Sequence, residues 1–220
     1  FADPMVQEYL SGLGVTAYLT LACTLAAYVI GVPIGVILTV TDKDGIRPNR
    51  IVNAVLGFIV NIFRSVPFII LLVIVLPLTK LIVGTKVGNA AFMVPLIIAA
   101  APFVARMTES SLKEVDSGVI EAAQAMGSTN FQIIRKVLIP EAKPSLITGA
   151  AIAVTTILGY TPMATFVGGG GLGAIAVQYG LYRFQPTIMY IASILLIIMV
   201  QILQEVGLKL AKKTDKRIKN

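Results

Sequence analysis

The chain has 220 residues, of which 56% are hydrophobic and only 13% are charged, and its formal net charge is +7. Soluble globular domains carry about 25% charged residues, so this composition predicts an integral membrane protein. The chain contains no histidine and a single cysteine, Cys23, inside an apolar run. An internal disulfide is therefore excluded. Metal sites built from histidine or cysteine, and Ser-His or Cys-His catalytic arrangements, are effectively ruled out.

Five segments are long and apolar enough to cross a membrane as helices, which takes about 20 mostly apolar residues each. They lie at about 15–41, 51–79, 88–106, 146–165 and 186–206. We predict an all-α integral membrane protein in which residues 1–220 form one transmembrane domain. Prolines inside the segments are compatible with this prediction, because neighbouring helices can satisfy the carbonyl groups that a proline leaves free. No basic segment precedes the first run, so we expect a retained span rather than a signal peptide.

The first two spans each contain one feature that differs from a plain apolar helix. Gly31 and Gly35 are four residues apart in the first span, a spacing that permits close approach of a second helix. Arg64 is the only charged residue in the interior of a predicted span. Because a lipid-facing charge is costly, we expect Arg64 to face the bundle, a water-filled vestibule or a partner.

The segment between the third and fourth spans is polar and is predicted to form two short amphipathic helices. Asp116 can cap the first helix, and Gly127 suits the left-handed position after its end. Thr129 and Gln132 have the form of a capping box for the second helix, which we expect to end at Pro140. Apolar residues recur at helical spacing in both helices: Val119, Ile120, Ala123 and Met126, then Phe131, Ile134 and Leu138.

The fourth span ends in a polar break around Pro162, with Tyr160 and Met163 on either side. The run at 168–173 formally fits the G-x-G-x-x-G pattern of dinucleotide-binding proteins. No strand is predicted before it, and the next acidic residue is Glu205, which is too distant for a ribose contact. We therefore interpret this run as a compact turn that joins the fourth and fifth spans.

The lysines and arginines outside the spans are distributed unevenly, and this asymmetry predicts the orientation of the chain. Fourteen lie in the first loop, the region 106–145 and the tail: Lys43, Arg47, Arg50, Arg106, Lys113, Arg135, Lys136, Lys143, Lys209, Lys212, Lys213, Lys216, Arg217 and Lys219. Three lie on the opposite side: Lys80, Lys86 and Arg183. The N-terminus is thus predicted outside and the C-terminus in the cytoplasm, which places 107–145 in the cytoplasm. The positive charge reflects topology, and we do not expect nucleic-acid binding.

The cytoplasmic segment carries a spaced pattern of six residues: Glu121, Ala122, Ala123, Gly127, Ile139 and Pro140. This pattern resembles the EAA signature of ABC-importer permeases, in which the loop forms a coupling helix that docks into a groove on the ATP-hydrolysing subunit. The resemblance implies that the small alanines permit close approach, the glycine permits the bend and the glutamate offers a charge-assisted contact. Taken without the resemblance, interfacial helices that only cap the bundle remain an equal alternative.

A narrower resemblance is to the methionine-importer permeases, and it extends from about residue 28 to the last span. It rests on the runs 61–72, 101–106, 168–173 and 178–180. The resemblance implies a homodimer in the bacterial cell membrane, two cytoplasmic ABC ATPase subunits that bind ATP and magnesium, and an extracytoplasmic protein that delivers methionine. No cofactor is expected in this chain itself. Looser forms of the run at 63–68 occur in polar amino-acid permeases, so another small amino acid or polar solute remains an alternative substrate.

In a permease, Arg64, Tyr160 and Met163 become candidates for the translocation pathway or its gate. Each also has a plainer interpretation. Arg64 could bind carbonyl groups near a kink at Pro67, while Tyr160 and Met163 could be ordinary packing residues. The glycine-rich turn could in the same way be only a turn, or could also meet the delivery protein.

Two other classes of membrane protein are alternatives to a permease. The chain has no phosphate-binding G-x-x-x-x-G-K-[ST] loop, so transport needs a partner ATPase or an ion gradient. A secondary transporter would usually have more spans and acidic residues inside the membrane, whereas the first acidic residue in a predicted span is Glu205 at its cytoplasmic end. A membrane enzyme would need general acid or base groups that the spans lack. We therefore predict a transport subunit with no catalytic residue and no metal site.

Overall fold

A computed structural model describes residues 4–214, and within that range the chain is helical with no strand. The basic residues Lys216, Arg217 and Lys219 of the tail lie outside the described residues. Ten α-helices occur in chain order: α1 Pro4–Thr41, α2 Arg50–Ser65, α3 Phe68–Val83, α4 Asn89–Lys113, α5 Ser117–Ala125, α6 Asn130–Ile133, α7 Ile139–Glu141, α8 Lys143–Tyr160, α9 Leu172–Val177 and α10 Pro186–Thr214. Two π-helical turns, Ile134–Leu138 and Gln178–Tyr182, and a 3₁₀ helix, Thr161–Val167, complete the order.

Four stretches of helix are long and apolar enough to span a membrane, which confirms the prediction of an all-α membrane protein. They are Pro4–Thr41, Asn89–Lys113, Lys143–Val167 and Pro186–Thr214. The pair α2 and α3 makes a fifth span if the two helices are counted together. Several helices extend beyond the apolar runs that predicted them. α1 begins eleven residues earlier than expected, at Pro4, and α4 continues seven residues further, to Lys113.

The predicted second span is not one continuous helix. It divides into α2 and α3, with a bend of 110° at the break. Pro67 lies at the break and has an extended ψ of 134°. The helix breaks there because proline has no N–H to continue it and disfavours the helical conformation in the residue before it. Pro33 and Pro77, in contrast, remain inside α1 and α3.

The described residues fall into two compact units. The first unit comprises 4–26, 66–100 and 154–204, and the second comprises 27–65, 101–153 and 205–214. Whether residues 1–220 behave as one transmembrane domain stays a prediction.

Small residues let two helices pack closely in the second unit. A Cβ atom built on Gly31 would lie 2.6 Å from the carbonyl oxygen of Ala101, and one built on Gly35 would lie 2.6 Å from that of Ala105. These distances are shorter than any ordinary contact, so only glycine allows α1 to approach α4 at these two positions. The G-x-x-x-G prediction of close helix approach is thereby confirmed.

The glycine-rich run of the first unit forms a turn that side chains from two other helices hold in place. Thr16 Oγ1 on α1 accepts a hydrogen bond from Leu172 N at 2.9 Å. Asn89 Oδ1 on α4 accepts one from Gly170 N at 2.8 Å. Gly171 has a φ of +111°, in the region that favours glycine. The turn leads into α9 before the chain reaches α10, so the connection is longer than a simple turn between two spans.

We expect Gly35→Ala to destabilise the protein by about 1–3 kcal/mol, because the new methyl group would force the α1 and α4 backbones apart. Gly14→Ala in the same helix is the matched control, since no atom lies within 4 Å of a Cβ built there. The measurement is the thermal unfolding midpoint of the purified protein in detergent. A Gly35→Ala midpoint equal to that of the parent would show that the helices do not depend on this contact.

Candidate functional site

The segment between α4 and α8 folds as the predicted helical hairpin, with a cap and a turn at the expected residues. The carboxylate of Asp116 caps α5 by accepting a hydrogen bond from Gly118 N at 2.7 Å. Gly127 then adopts a φ of +78°, and no atom lies within 4 Å of a Cβ built on it. The turn therefore needs glycine for its backbone conformation and not for lack of space. Residues 117–141 are called the hairpin below.

The second helix of the hairpin starts as predicted but ends differently. Thr129 N donates to Gln132 Oε1 at 2.8 Å and Gln132 N donates to Thr129 Oγ1 at 3.4 Å, which completes the capping box. The helix does not stop at Pro140 as expected, because a π turn precedes the proline and ends with Ile139 N bonded to Ile134 O. Pro140 thus lies in the first turn of α7, where its missing N–H is not needed, and helix continues to Glu141.

One face of the hairpin is buried in a hydrophobic cluster of the second unit. Its buried members are Leu112, Val115, Ala123, Ile133, Leu138 and Ala142, with Val36 and Ile46 among the partly buried residues around it. The cluster therefore attaches the hairpin both to the end of α4 and to residues of and after α1.

Other apolar side chains of the hairpin are exposed. Met126 is 79% exposed, Phe131 is 68% exposed and Val119 is 43% exposed. The residues at helical spacing are therefore divided: Ala123 and Leu138 are buried in the cluster and Ile120 and Ile134 pack against it, whereas Val119, Met126 and Phe131 are exposed. We call Val119, Met126 and Phe131, together with the exposed Ile139, the apolar patch. It lies outside every helix long enough to span a membrane.

The six signature residues differ in their burial. Ala123 is buried in the cluster, whereas the other five are exposed: Glu121, Ala122, Gly127, Ile139 and Pro140. Ala122 lies three residues after Val119 and four before Met126, so the small exposed alanine is a neighbour of two members of the apolar patch. A partner could approach the α5 backbone closely there.

An ionic network around the buried Glu109 lies directly before the hairpin, and sequence reasoning missed it. Glu109 is 7% exposed, and its carboxylate accepts hydrogen bonds from Arg106 Nη1 at 2.5 Å and from Lys113 Nζ at 2.8 Å. Lys113 also forms an ion pair with Asp42, which follows the end of α1. The sequence signal for these ion pairs is the spacing of Arg106, Glu109 and Lys113, since residues three and four apart in a helix are neighbours.

The same network reaches α2 through the second nitrogen of the arginine. Arg106 Nη2 donates to Asn61 Oδ1 at 2.9 Å and to the carbonyl oxygen of Gly57 at 3.1 Å. Arg106 therefore belongs to α4 and binds groups of α2, although the sequence placed it only as a cytoplasmic flanking charge.

A cavity of about 570 Å³ opens between the loop after α1 and the hairpin. Asp42, Lys113 and Glu121 are among its lining residues. The hydrogen bond from Lys113 holds the pKa of Asp42 below its ordinary value of 3.8. The first residue of the signature and the loop end of the ionic network thus share one water-accessible space.

The three candidate pathway residues differ in their surroundings. Arg64, next to the end of α2, is exposed and makes no hydrogen bond or ion pair with the described residues, so the interpretation as a carbonyl-bound arginine has no support. Tyr160 is half-buried, with its ring centroid 4.8 Å from that of Phe68. Met163 is half-buried in the 3₁₀ helix where regular α8 ends. Within 4–214, no group of three potential metal-ligating side chains occurs.

Comparison with known proteins gives the class of the chain. Residues 31–213 match the family described as binding-protein-dependent transport system inner membrane component. The chain therefore belongs to this family of ABC-importer permeases. It is a multi-pass membrane protein and, by family, not itself an enzyme.

Individual relatives confirm the narrower resemblance. The chain is 48% identical over 202 residues to the probable D-methionine transport system permease protein MetI of Vibrio cholerae, covering 92% of this chain and 90% of that one. It is 43% identical over 181 residues to the methionine import system permease protein MetP of Bacillus subtilis, covering 82% of each. A crystal structure of inward-facing conformations of the MetNI methionine ABC transporter matches with a TM-score of 0.95 and 44% identity. That match covers 98% of this chain and 100% of the solved chain.

We expect the ion pair of Asp42 with Lys113 to contribute about 0.5–1 kcal/mol to the free energy of unfolding at neutral pH. This contribution should disappear in acid. Because the folded-state pKa is lowered, the contribution is complete above the ordinary value of 3.8 and disappears as the pH falls through the lower folded value. The unfolding midpoint of Asp42→Asn should therefore lie below that of the parent at pH 6, and the difference should shrink as the pH falls below the lowered pKa of Asp42. Asp44→Asn is the matched control, because its side chain is 83% exposed. A midpoint difference for Asp42→Asn that does not change with pH would contradict this assignment.

Proposed function

We propose that this chain is the membrane-spanning subunit of an ATP-driven importer that carries methionine, or a closely related amino acid, across the bacterial cell membrane. The observation that carries the substrate assignment is the 48% identity, over nine-tenths of both chains, to a permease named for D-methionine. Similarity to the MetNI methionine transporter over almost the entire chain supports the same assignment. A permease for another small amino acid or polar solute is the alternative.

The apolar patch is the proposed binding surface for a cytoplasmic ABC ATPase subunit. Large exposed apolar side chains outside the membrane spans are typical of protein–protein contact surfaces. Glu121 and Ala122 lie on the same exposed hairpin and would add a charge-assisted contact and close backbone approach. In this proposal ATP and magnesium bind to the ATPase, two permease chains form a homodimer and each recruits one ATPase subunit.

The proposed orientation places the N-terminus outside and the hairpin in the cytoplasm, so that the ATPase and the delivery protein meet opposite ends of the permease. The excess of lysine and arginine in the first loop and around the hairpin supports this orientation. The extracytoplasmic delivery protein would meet the side that contains Lys86 and Arg183.

Transport would proceed by alternating access driven from the hairpin. ATP binding closes the ATPase dimer and draws the two hairpins together, and the spans change from inward-facing to outward-facing. The hairpin is suited to transmit this movement because its cap, turn and capping box fix its shape, while the buried cluster joins it to α4. Hydrolysis of ATP then permits return to the inward-facing state.

Tyr160 and Met163 remain the proposed gate or pathway residues, and Arg64 a proposed pathway charge. The change from α-helix to 3₁₀ helix after Tyr160 supports the proposal for Tyr160 and Met163, because transporters build substrate sites at breaks in their helices. The exposure of Arg64 and its lack of partners among the described residues support the proposal for that residue.

The test is reconstitution of the chain in liposomes with a candidate ABC ATPase and binding protein. We expect ATP hydrolysis to rise several-fold with methionine-loaded binding protein, with uptake of methionine that requires ATP. Stimulation by another amino acid and not by methionine would refute the substrate and leave the class intact. Uptake by the permease without any ATPase, driven by an ion gradient, would refute the class.

We expect Gly127→Val to uncouple ATP hydrolysis from uptake, because a β-branched residue is strained at a φ of +78° by about 1–2 kcal/mol. Gly127→Asn is the matched control, since asparagine tolerates this conformation and the site has space for either side chain. The measurement is methionine imported per ATP hydrolysed. Full coupling in Gly127→Val, at normal membrane insertion, would show that the turn does not transmit the movement.

A further inference from the structure

The buried carboxylate of Glu109 is the centre of a network that connects α4 with α2 and with the loop after α1. It binds Arg106 and Lys113 of its own helix, and through them it reaches groups of α2 and of the loop after α1. All of these groups belong to the second unit. Moving one member away from the others would leave a buried charge without a partner, which is costly. The members of the network are therefore held in a defined geometry.

The network is also directly connected to the hairpin. α4 ends at Lys113, and Asp116 caps α5 only three residues later. Leu112 and Val115 on either side of Lys113 lie in the buried cluster that holds Ala123 and Leu138 of the hairpin. Because these contacts are direct and buried, a displacement of the hairpin would also displace Lys113 and Glu109.

Two other ion pairs show that this arrangement is particular to the base of the hairpin. The pair of Lys209 with Glu205 has a similar length of 2.8 Å, but its side chains are 75% and 66% exposed. The pair of Lys43 with Asp44 is longer, at 3.6 Å, and still more exposed. Exposed pairs of this kind contribute little to stability or to the transmission of movement. Glu109, with a side chain only 9% exposed, is in a different environment.

We infer that Glu109 is a positioning residue for transport, which couples movement of the hairpin to α1, α2 and α4 through its bonds to Arg106 and Lys113. The inference rests on the proposed function, because it assumes that the hairpin is the element an ATPase moves. Glu109 touches neither substrate nor nucleotide in this account. Its action is to keep α2, α4 and the loop after α1 moving with the hairpin, so that ATP-driven displacement is not lost in local sliding.

The test uses the full complex of permease, ATPase and binding protein in liposomes, with uptake and ATP hydrolysis measured in the same sample. Glu109→Gln keeps the size of the side chain and removes its charge. We expect uptake per ATP hydrolysed to fall about tenfold, within the range of known coupling energies, while hydrolysis itself persists. Glu109→Asp, which keeps the charge, should recover much of the lost coupling. Glu205→Gln breaks the exposed pair on α10 and should leave the ratio unchanged.

Asp42→Asn tests the same inference if Glu109→Gln does not assemble with its partners. It removes only the contact of the network with the loop after α1, and we expect uptake per ATP to fall about threefold, a smaller coupling loss. An unchanged ratio in the assembled variants would overturn the inference. Uptake and hydrolysis falling in equal proportion would also overturn it, because that result indicates a purely structural role. Failure of the parent complex to import methionine would instead refute the proposed function.

Discussion

In the proposed transporter, the hairpin must pack some side chains against the membrane helices and expose others to its partner, and the burial pattern of the hairpin agrees with this constraint. Ala123 and Ile133 are buried in the cluster that contains Leu112 of α4, while Met126 and Phe131 are exposed. A segment exposed on all sides could bind a partner but could not move the spans. A segment buried on all sides could not be reached by a soluble protein.

Attachment of the hairpin to the spans uses two kinds of interaction that supplement each other. The hydrophobic cluster supplies burial that is not directional, so by itself it would tolerate some sliding. The ionic network around Glu109 is directional, because its distances and donor geometry are fixed by hydrogen bonds. Close packing of α1 and α4 at Gly31 and Gly35 extends this attachment further along the spans.

The spans and the hairpin could be predicted because their signals are local in sequence. A run of about 20 apolar residues has few alternatives to a membrane helix. The cap at Asp116, the turn at Gly127 and the capping box at Thr129 each depend on residues within a few positions. The local rules therefore applied regardless of what packs against the segment.

The remaining features depend on tertiary neighbours and could not be predicted in the same way. Hydropathy marks the part of a helix that suits lipid, so it could not show that α4 continues to Lys113. The chain leaves the helical conformation at Pro67, whereas α1 continues through Pro33 and α3 continues through Pro77. The presence of a proline alone does not distinguish these sites. Helical spacing located the apolar residues of the hairpin, but which of them face the core depends on where α4 lies. The spacing therefore could not show that Phe131 is exposed while Leu138 is buried.

In the proposed transporter, the apolar patch is the surface on which the ATPase docks. The most direct measurement is site-specific photo-crosslinking, with the reactive amino acid placed at Met126, which is 79% exposed, or at Ile133, which is fully buried. The account predicts that Met126 crosslinks to the ATPase subunit in the assembled complex and that Ile133 does not. Absence of an ATPase crosslink from Met126 in a complex that still hydrolyses ATP would contradict it.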